Sequence, residues 1–166
     1  MAKLRFPAPD HDHRACLSAS LARAENAYVE AGGRLTELRA SVLRELAASH
    51  QALGAYDVIQ RLSAAGRAVA PISVYRVLDS LLEVGLVHRI ESRNAFIACH
   101  APHDERRPIL FLVCDVCGTV AETGEAGLNE ALQSAAQNAK FTLNDTVLEM
   151  TGLCEHCAGR EGAGGL

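Results

Sequence analysis

Cys114-Asp115-Val116-Cys117-Gly118 and Cys154-Glu155-His156-Cys157 repeat one pattern, a pair of cysteines separated by two residues. A tight turn aims both thiolates of such a pair at one point. Two such turns make a closed tetrahedral Zn²⁺ site of four sulfurs. Gly118 directly follows the first pair, and Gly159 lies two residues past the second. A residue free to take positive φ is useful there, because the turn must point backbone N–H groups at the sulfurs. Two local disulfides would need an oxidising compartment, and a single redox pair would not explain its duplicate. The pattern predicts a structural zinc site built from Cys114, Cys117, Cys154 and Cys157.

The segments around the pairs read as a small α/β unit. Ile109–Cys114 is a continuous apolar run bounded by turn signals, so a buried strand. Thr119–Thr123 is a second strand. Gly127–Lys140 is helical, with Leu128, Ala131, Leu132 and Ala135 on one face. Phe141–Leu153 alternates through Val147, Leu148 and Met150 as a third strand that delivers the chain to Cys154.

Upstream the period changes. Ala15, Leu17, Leu21, Ala24, Ala27 and Tyr28 recur at helical spacing until Gly32-Gly33. Thr36 can cap a second helix with Leu38, Val42, Leu43 and Leu46 on its apolar face. A third helix runs from Ala55 to Ala65, placing Val58, Ile59 and Leu62 inward. A fourth begins at Ala70-Pro71-Ile72-Ser73, where Pro suits the first turn and Ser73 is the expected cap. Its apolar face is Val74, Val77, Leu78, Leu81 and Leu82. Leu86–Glu91 and Ala95–Cys99, split at Ser92–Asn94, form a hairpin. This order is that of a winged helix-turn-helix, in which the last helix enters the DNA major groove and the hairpin lies along the backbone. The fold class is α+β: an N-terminal winged helix followed by a small α/β domain with a four-cysteine zinc site.

Composition narrows the function. The 166 residues carry a net charge of −4, which does not advertise a nucleic-acid binder. The average hides an asymmetry: residues 1–98 hold 12 Lys/Arg against 10 Asp/Glu, and residues 99–166 hold 4 against 10. The first part can approach a phosphate backbone and the second cannot. No apolar run approaches the ~18–20 residues that span a bilayer. The N-terminus lacks the apolar core of a signal peptide. A cytoplasmic location without membrane association is expected. G-x-S-x-G, a P-loop and G-x-G-x-x-G are all absent, and a closed four-thiolate site leaves no open metal position for chemistry. No enzymatic activity and no small-molecule substrate are expected.

Two residue sets carry the remaining chemistry. Ser73, Tyr75 and Arg76 lie in the first turn or so of the fourth helix. Arg there can donate two hydrogen bonds to guanine, and Ser73 and Tyr75 can reach phosphates; an exposed polar helix face is the plainer alternative. Tyr56 opens the preceding helix and can touch backbone or base, or pack in the core. The second set lies near the domain junction: His88 on the first wing strand, Cys99 ending the second, His100 and His103 after it, and Glu122 beyond the first cysteine pair. Such a mixed S/N/O set suits Zn²⁺ better than hard, all-oxygen ions. Ordinary buried or solvated side chains are the alternative.

Arg34-Leu-Thr-Glu-Leu-Arg39, Ala55-Tyr-Asp57, Ser73-Val-Tyr-Arg-Val-Leu78, Glu83-Val-Gly-Leu-Val-His88 and Cys114-x2-Cys117-Gly118 together resemble the ferric uptake regulator family, over about residues 20–157. Glu91-Ser-x-Asn94-x-Phe-x-x-Cys99-His100 is similar to its zinc uptake regulator branch. The iron branch carries a His-rich run before the first cysteine pair, where this chain has Asp104–Ile109. The resemblance implies a homodimeric repressor that occupies palindromic double-stranded DNA operators at zinc-uptake genes when zinc is bound. It also implies two zinc ions per chain, one structural at the four cysteines and one regulatory. His88, Cys99 and Glu122 match regulatory ligands, and Tyr56 and Arg76 match base-contacting residues. The branch has a further His where Arg107 stands; His103 is the expected substitute, with His100 second. The implied layout is a flexible arm (1–14), a winged-helix DNA-binding domain (15–98), a hinge and metal loop (99–108), a dimerisation domain (109–158) and a flexible tail (159–166). The competing readings are an iron-, manganese- or peroxide-sensing regulator of the same family, disfavoured by the oxidation liability of Cys99 beside Fe²⁺, and a zinc-ribbon-like protein-interaction module.

Overall fold

The computed structural model describes Phe6 and residues 13–99, 108–123, 127–143 and 146–161, the side chains of residues 160 and 161 excepted. They fall into two compact units, one within Pro7–His100, the other within Ala101–Leu166 together with Phe6.

The first unit is four helices and a hairpin. α1 (His13–Glu30) begins two residues earlier than the spacing suggested, taking in the end of the expected arm. α2 (Glu37–Ala47) starts where Thr36 predicts: Thr36 is extended and its Oγ1 accepts a 3.4 Å hydrogen bond from the Arg39 N–H. Losing that cap by Thr36→Ala should lower stability by about 0.5–1 kcal/mol, read as a reduced unfolding midpoint in urea. In α3 (Ala55–Ala64) the Gly54 N–H donates to Asp57 Oδ2 at 2.9 Å, and a Cβ on Gly54 would sit 3.1 Å from that oxygen. α4 (Pro71–Glu83) corrects one expectation. Its cap is Ala70, which offers no side-chain acceptor; Ser73 already lies inside the first turn, donating its N–H to the Ala70 carbonyl at 2.9 Å. Pro71 fixes the helical φ at the first position, so the helix starts before Ser73 can cap it.

Leu43, Leu46, Val58, Val74, Leu78 and Leu81 are fully buried and form the core around which these helices pack. Removing their apolar surface from water, at roughly 25 cal/mol per Å², is what holds the helices together. Strands β1 (Val87–Ile90) and β2 (Ala95–Ala98) pair antiparallel with Val87 opposite Ala98 and Ile90 opposite Ala95. Between them Glu91–Arg93 make a 3₁₀ turn, and Asn94 takes a left-handed conformation at φ 46°. Arg89 Nη2 donates to Asn94 Oδ1 at 2.8 Å, tying the turn to the strand before it. Leu53 adds a bridge to Phe96, with N–H···O distances of 2.9 and 2.8 Å, that the sequence did not announce.

In the second unit, β3 (Leu110–Cys114) is central, antiparallel to β4 (Val120–Thr123) and parallel to β5 (Leu148–Gly152). A parallel pair needs a crossover, and α5 (Leu128–Asn138) lies in the connection that supplies it. β5 is shorter than the expected 141–153 strand. No residue of α5 is buried, and Ala131 and Ala135 are exposed; the less exposed line runs through Leu128, Leu132 and Ala136. The chain then forms α6 (Glu155–Glu161), so helix extends into the segment read as a tail from 159. Among the described residues no helix is long and apolar enough to cross a membrane.

Candidate metal centre and DNA-facing helix

The sheet of the second unit delivers all four cysteines to one end. β3 terminates at Cys114, and Gly118 at φ 70° reverses the chain. That reversal lets the Gly118 N–H reach the Cys114 carbonyl at 3.0 Å and the Cys114 N–H reach the Thr119 carbonyl at 2.9 Å. Gly152, at the end of β5, lies opposite Cys114 in register and accepts from the Asp115 N–H at 2.8 Å. Two residues later Cys154 precedes α6, whose first turn carries Cys157; the Cys157 and Ala158 N–H groups both donate to the Cys154 carbonyl, at 3.0 and 2.9 Å. Gly159 sits inside α6 and is not at positive φ, so only the first of the two turns uses the glycine freedom expected of both.

The four sulfurs lie within 4.8 Å of one another. Cys117 and Cys154 Sγ are 3.8 Å apart. A disulfide needs about 2.05 Å. Tetrahedral Zn²⁺ with Zn–S of about 2.3 Å puts its sulfurs about 3.8 Å apart. Cys114, Cys154 and Cys157 are buried, and Phe6 packs against the cluster. Burial pushes the Cys114 thiol up, but backbone N–H groups of Cys117, Cys154 and Val116 outweigh it and hold its pKa at about 6. Cys157 is pushed the other way, up to about 12, first by burial and then by hydrogen bonding to the neighbouring sulfurs. One sulfur therefore ionises readily and another resists, because burial and the neighbouring sulfurs favour its neutral thiol form. A divalent cation removes that conflict, and its binding expels protons. With every position taken by protein sulfur, such a centre staples the strand ends and leaves no site for catalysis.

The other candidate ligands are placed unit by unit. His88 is half-buried on β1, opposite Ile97. Cys99 is buried just past the end of β2, its N–H donating to the Leu86 carbonyl at 2.9 Å. Glu122 is half-buried on β4, opposite Phe111. His100 and His103 lie outside the described residues.

On α4, Tyr75 and Arg76 are exposed and Ser73 is half-buried. Tyr56, in the first turn of α3, is 69% exposed, which removes the core-packing alternative for it. Ile72 is 59% exposed and stands three and four residues before Tyr75 and Arg76, on the same helical face. The sequence reading passed over it. The available signal was its position, off the Val74–Val77–Leu78–Leu81 core stripe.

Residues 30–151 match the ferric uptake regulator family. The chain belongs to that family. The relatives it matches are named as regulators, not enzymes. Over 137 residues the chain is 36% identical to the zinc uptake regulation protein of Escherichia coli (strain K12), covering 82% of this chain and 80% of that protein. A zinc uptake regulator complexed with zinc and DNA superposes with a TM-score of 0.81 at 35% identity, covering 88% of this chain and 97% of that one. The holo form of XcZur gives a TM-score of 0.76 at 38% identity, covering 86% and 99%. Within the ferric uptake regulator family, this chain is therefore similar to zinc regulators.

Proposed function

We propose that this protein is a zinc-responsive, DNA-binding transcriptional repressor of zinc-uptake genes, working in the cytoplasm as a homodimer on palindromic operators. The observation that carries the reading is its likeness, over most of its length, to a regulator complexed with both zinc and DNA. The four-sulfur cluster and the exposed α4 face are its local counterparts.

In this reading α4 enters the major groove. Arg76 reads a guanine edge, Tyr75 and Ser73 meet phosphates, and Tyr56 approaches from α3. Ile72 is an apolar side chain on that face, suited to a thymine methyl group. Arg76→Ala should weaken operator binding by about 1–3 kcal/mol, a factor of roughly 5 to 150, and relax discrimination at one base position. Gel shifts against single-base operator variants would measure both. Affinity should also fall steeply and linearly in log–log form as salt rises, the mark of phosphate neutralisation; a flat dependence would favour a protein-interaction module.

Each chain takes two zinc ions in this proposal. Cys114, Cys117, Cys154 and Cys157 hold the structural one. His88, Cys99, Glu122 and His103, with His100 as substitute, hold the regulatory one. The first three are a half-buried imidazole, a buried thiol and a half-buried carboxylate, a donor set suited to Zn²⁺. Bound zinc favours the DNA-competent arrangement and so shifts its population. A second copy of the chain covers the second unit's exposed apolar residues: Phe141, Val147, Met150 and Leu153 are each 46–65% exposed. β5, which carries Met150, is an edge strand of its sheet.

The test is metal content and operator binding on one sample, titrated through a zinc buffer. One zinc per chain should resist the buffer, and a second should appear in step with DNA binding. Operator binding that follows Fe²⁺ or Mn²⁺ while ignoring the second zinc would keep the family and overturn the signal.

A further inference from the structure

Cys99 lies just past the end of β2, where the strand ladder no longer accounts for its backbone. Its N–H is taken by the Leu86 carbonyl at 2.9 Å. Its carbonyl is taken from far away in sequence: Arg23 Nη2, on α1, donates to Cys99 O at 2.5 Å. The same nitrogen lies 3.2 Å from Ser20 Oγ, one helical turn earlier and 2% exposed. A buried carbonyl without a donor is costly, and here a charged fork supplies one. With N–H and C=O both held, the peptide planes around Cys99 are fixed, and the direction of Sγ is left to a single side-chain torsion with three staggered choices. α1 lies almost wholly before residue 30, where the match to the family begins.

We infer that Arg23 is a positioning residue for metal binding at Cys99: its guanidinium, anchored on Ser20, holds the Cys99 carbonyl and thereby aims the thiolate. The inference rests on the reading of Cys99 as a ligand of the regulatory metal. Groups that orient metal ligands commonly matter by 10- to 100-fold in affinity. Lysine keeps the charge and can donate to the carbonyl, but lacks the rigid planar group that sets Nη2 against both the carbonyl and Ser20.

The experiment uses the full-length protein with the four-sulfur site filled by Zn²⁺, and Co²⁺ as probe of the second site. The readouts are Co²⁺ affinity, the thiolate-to-cobalt charge-transfer band, and the thermal unfolding midpoint. Arg23→Ala should bind Co²⁺ about 10- to 100-fold more weakly with a diminished band, while the first zinc stays. Arg23→Lys should recover part of both. Arg23→Ala binding Co²⁺ as wild type, with an unchanged band, would overturn the inference even if the protein melts at lower temperature, because the clamp would then be structural only. Should Arg23→Ala fail to fold, Ser20→Ala removes only the anchor: a smaller shift in the same direction supports the inference, and wild-type Co²⁺ binding overturns it. Cys99→Ser separates the two levels. If that variant keeps the second site at wild-type affinity, Cys99 is no ligand and both readings fall together. If it loses the site while Arg23→Ala keeps it, only the positioning role fails.

Discussion

Cys114→Ser is expected to release the structural zinc and unfold the sheet of the second unit while the helices of the first unit persist. The unit's sheet has three strands of four or five residues, and no residue of α5 is buried within the chain. Among its described residues the buried side chains are few: Phe111, Val113, Val120 and Ala121, besides the cysteines. So small an apolar core stabilises a fold only marginally. Structural zinc in a four-ligand site contributes on the order of 10–16 kcal/mol in isolated peptides, far more than the core. Cys114 is the ligand at which β3 ends, and its sulfur accepts the Cys154 N–H at 3.4 Å, so replacing it loosens both turns. Metal analysis should show one zinc fewer per chain, and amide exchange in β3–β5 should lose protection while α2–α4 keep theirs. Acid should act on the wild-type protein in the same direction. Protons compete with zinc for the sulfurs, so retention weakens as pH falls toward and below about 6, where even the readily ionised Cys114 takes up its proton. A Cys114→Ser protein that kept a tightly held zinc and full exchange protection would show that the cluster is no staple.

How much of this was legible depended on whether the deciding interaction is local in sequence. The cysteine pairs were legible because each half of the site is a single turn. So was the helix boundary at Thr36, whose cap bond spans three residues. Local signals misled where another local constraint overrode them: Pro71 sets the start of α4 and leaves Ser73 inside the helix. α6 was missed because nothing in Glu155–Glu161, with Gly159 in its middle, announces a helix; its first turn is shaped by the hydrogen bonds to the Cys154 carbonyl. Pairings that join distant residues left no trace in any window. The Leu53–Phe96 bridge and the Arg23–Cys99 hydrogen bond, which spans 76 residues, are of this kind. The face of α5 was misjudged for a related reason. Its apolar residues are spaced for burial, but within the chain little covers them.

Cys99→Ser is expected to leave the protein folded and remove zinc-dependent operator binding. The backbone of Cys99 keeps its place without the sulfur, since its N–H and carbonyl are held by Leu86 and Arg23. The substitution changes one buried atom from a soft, ionisable sulfur to a neutral hydroxyl, a poor partner for Zn²⁺. The structural zinc, held by four other cysteines, should remain. The energetic demand on the switch is large. Moving a two-state equilibrium from 1:99 to 99:1 takes about 5.5 kcal/mol of differential binding, a factor of roughly 10⁴. A site with a thiolate ligand can supply that; one left with imidazoles and a single carboxylate, and one ligand fewer, binds zinc more weakly. Operator affinity plotted against free zinc should therefore rise for the wild type as the second equivalent binds, and stay low and flat for Cys99→Ser. Operator binding by the variant that still rises with zinc as in the wild type would remove Cys99 from the switch. A variant that binds DNA tightly without any second zinc would mean that the metal relieves a restraint on an already competent protein rather than selecting the competent arrangement. Only the flat, low curve agrees with a thiolate whose bond to zinc provides the differential binding on which repression depends.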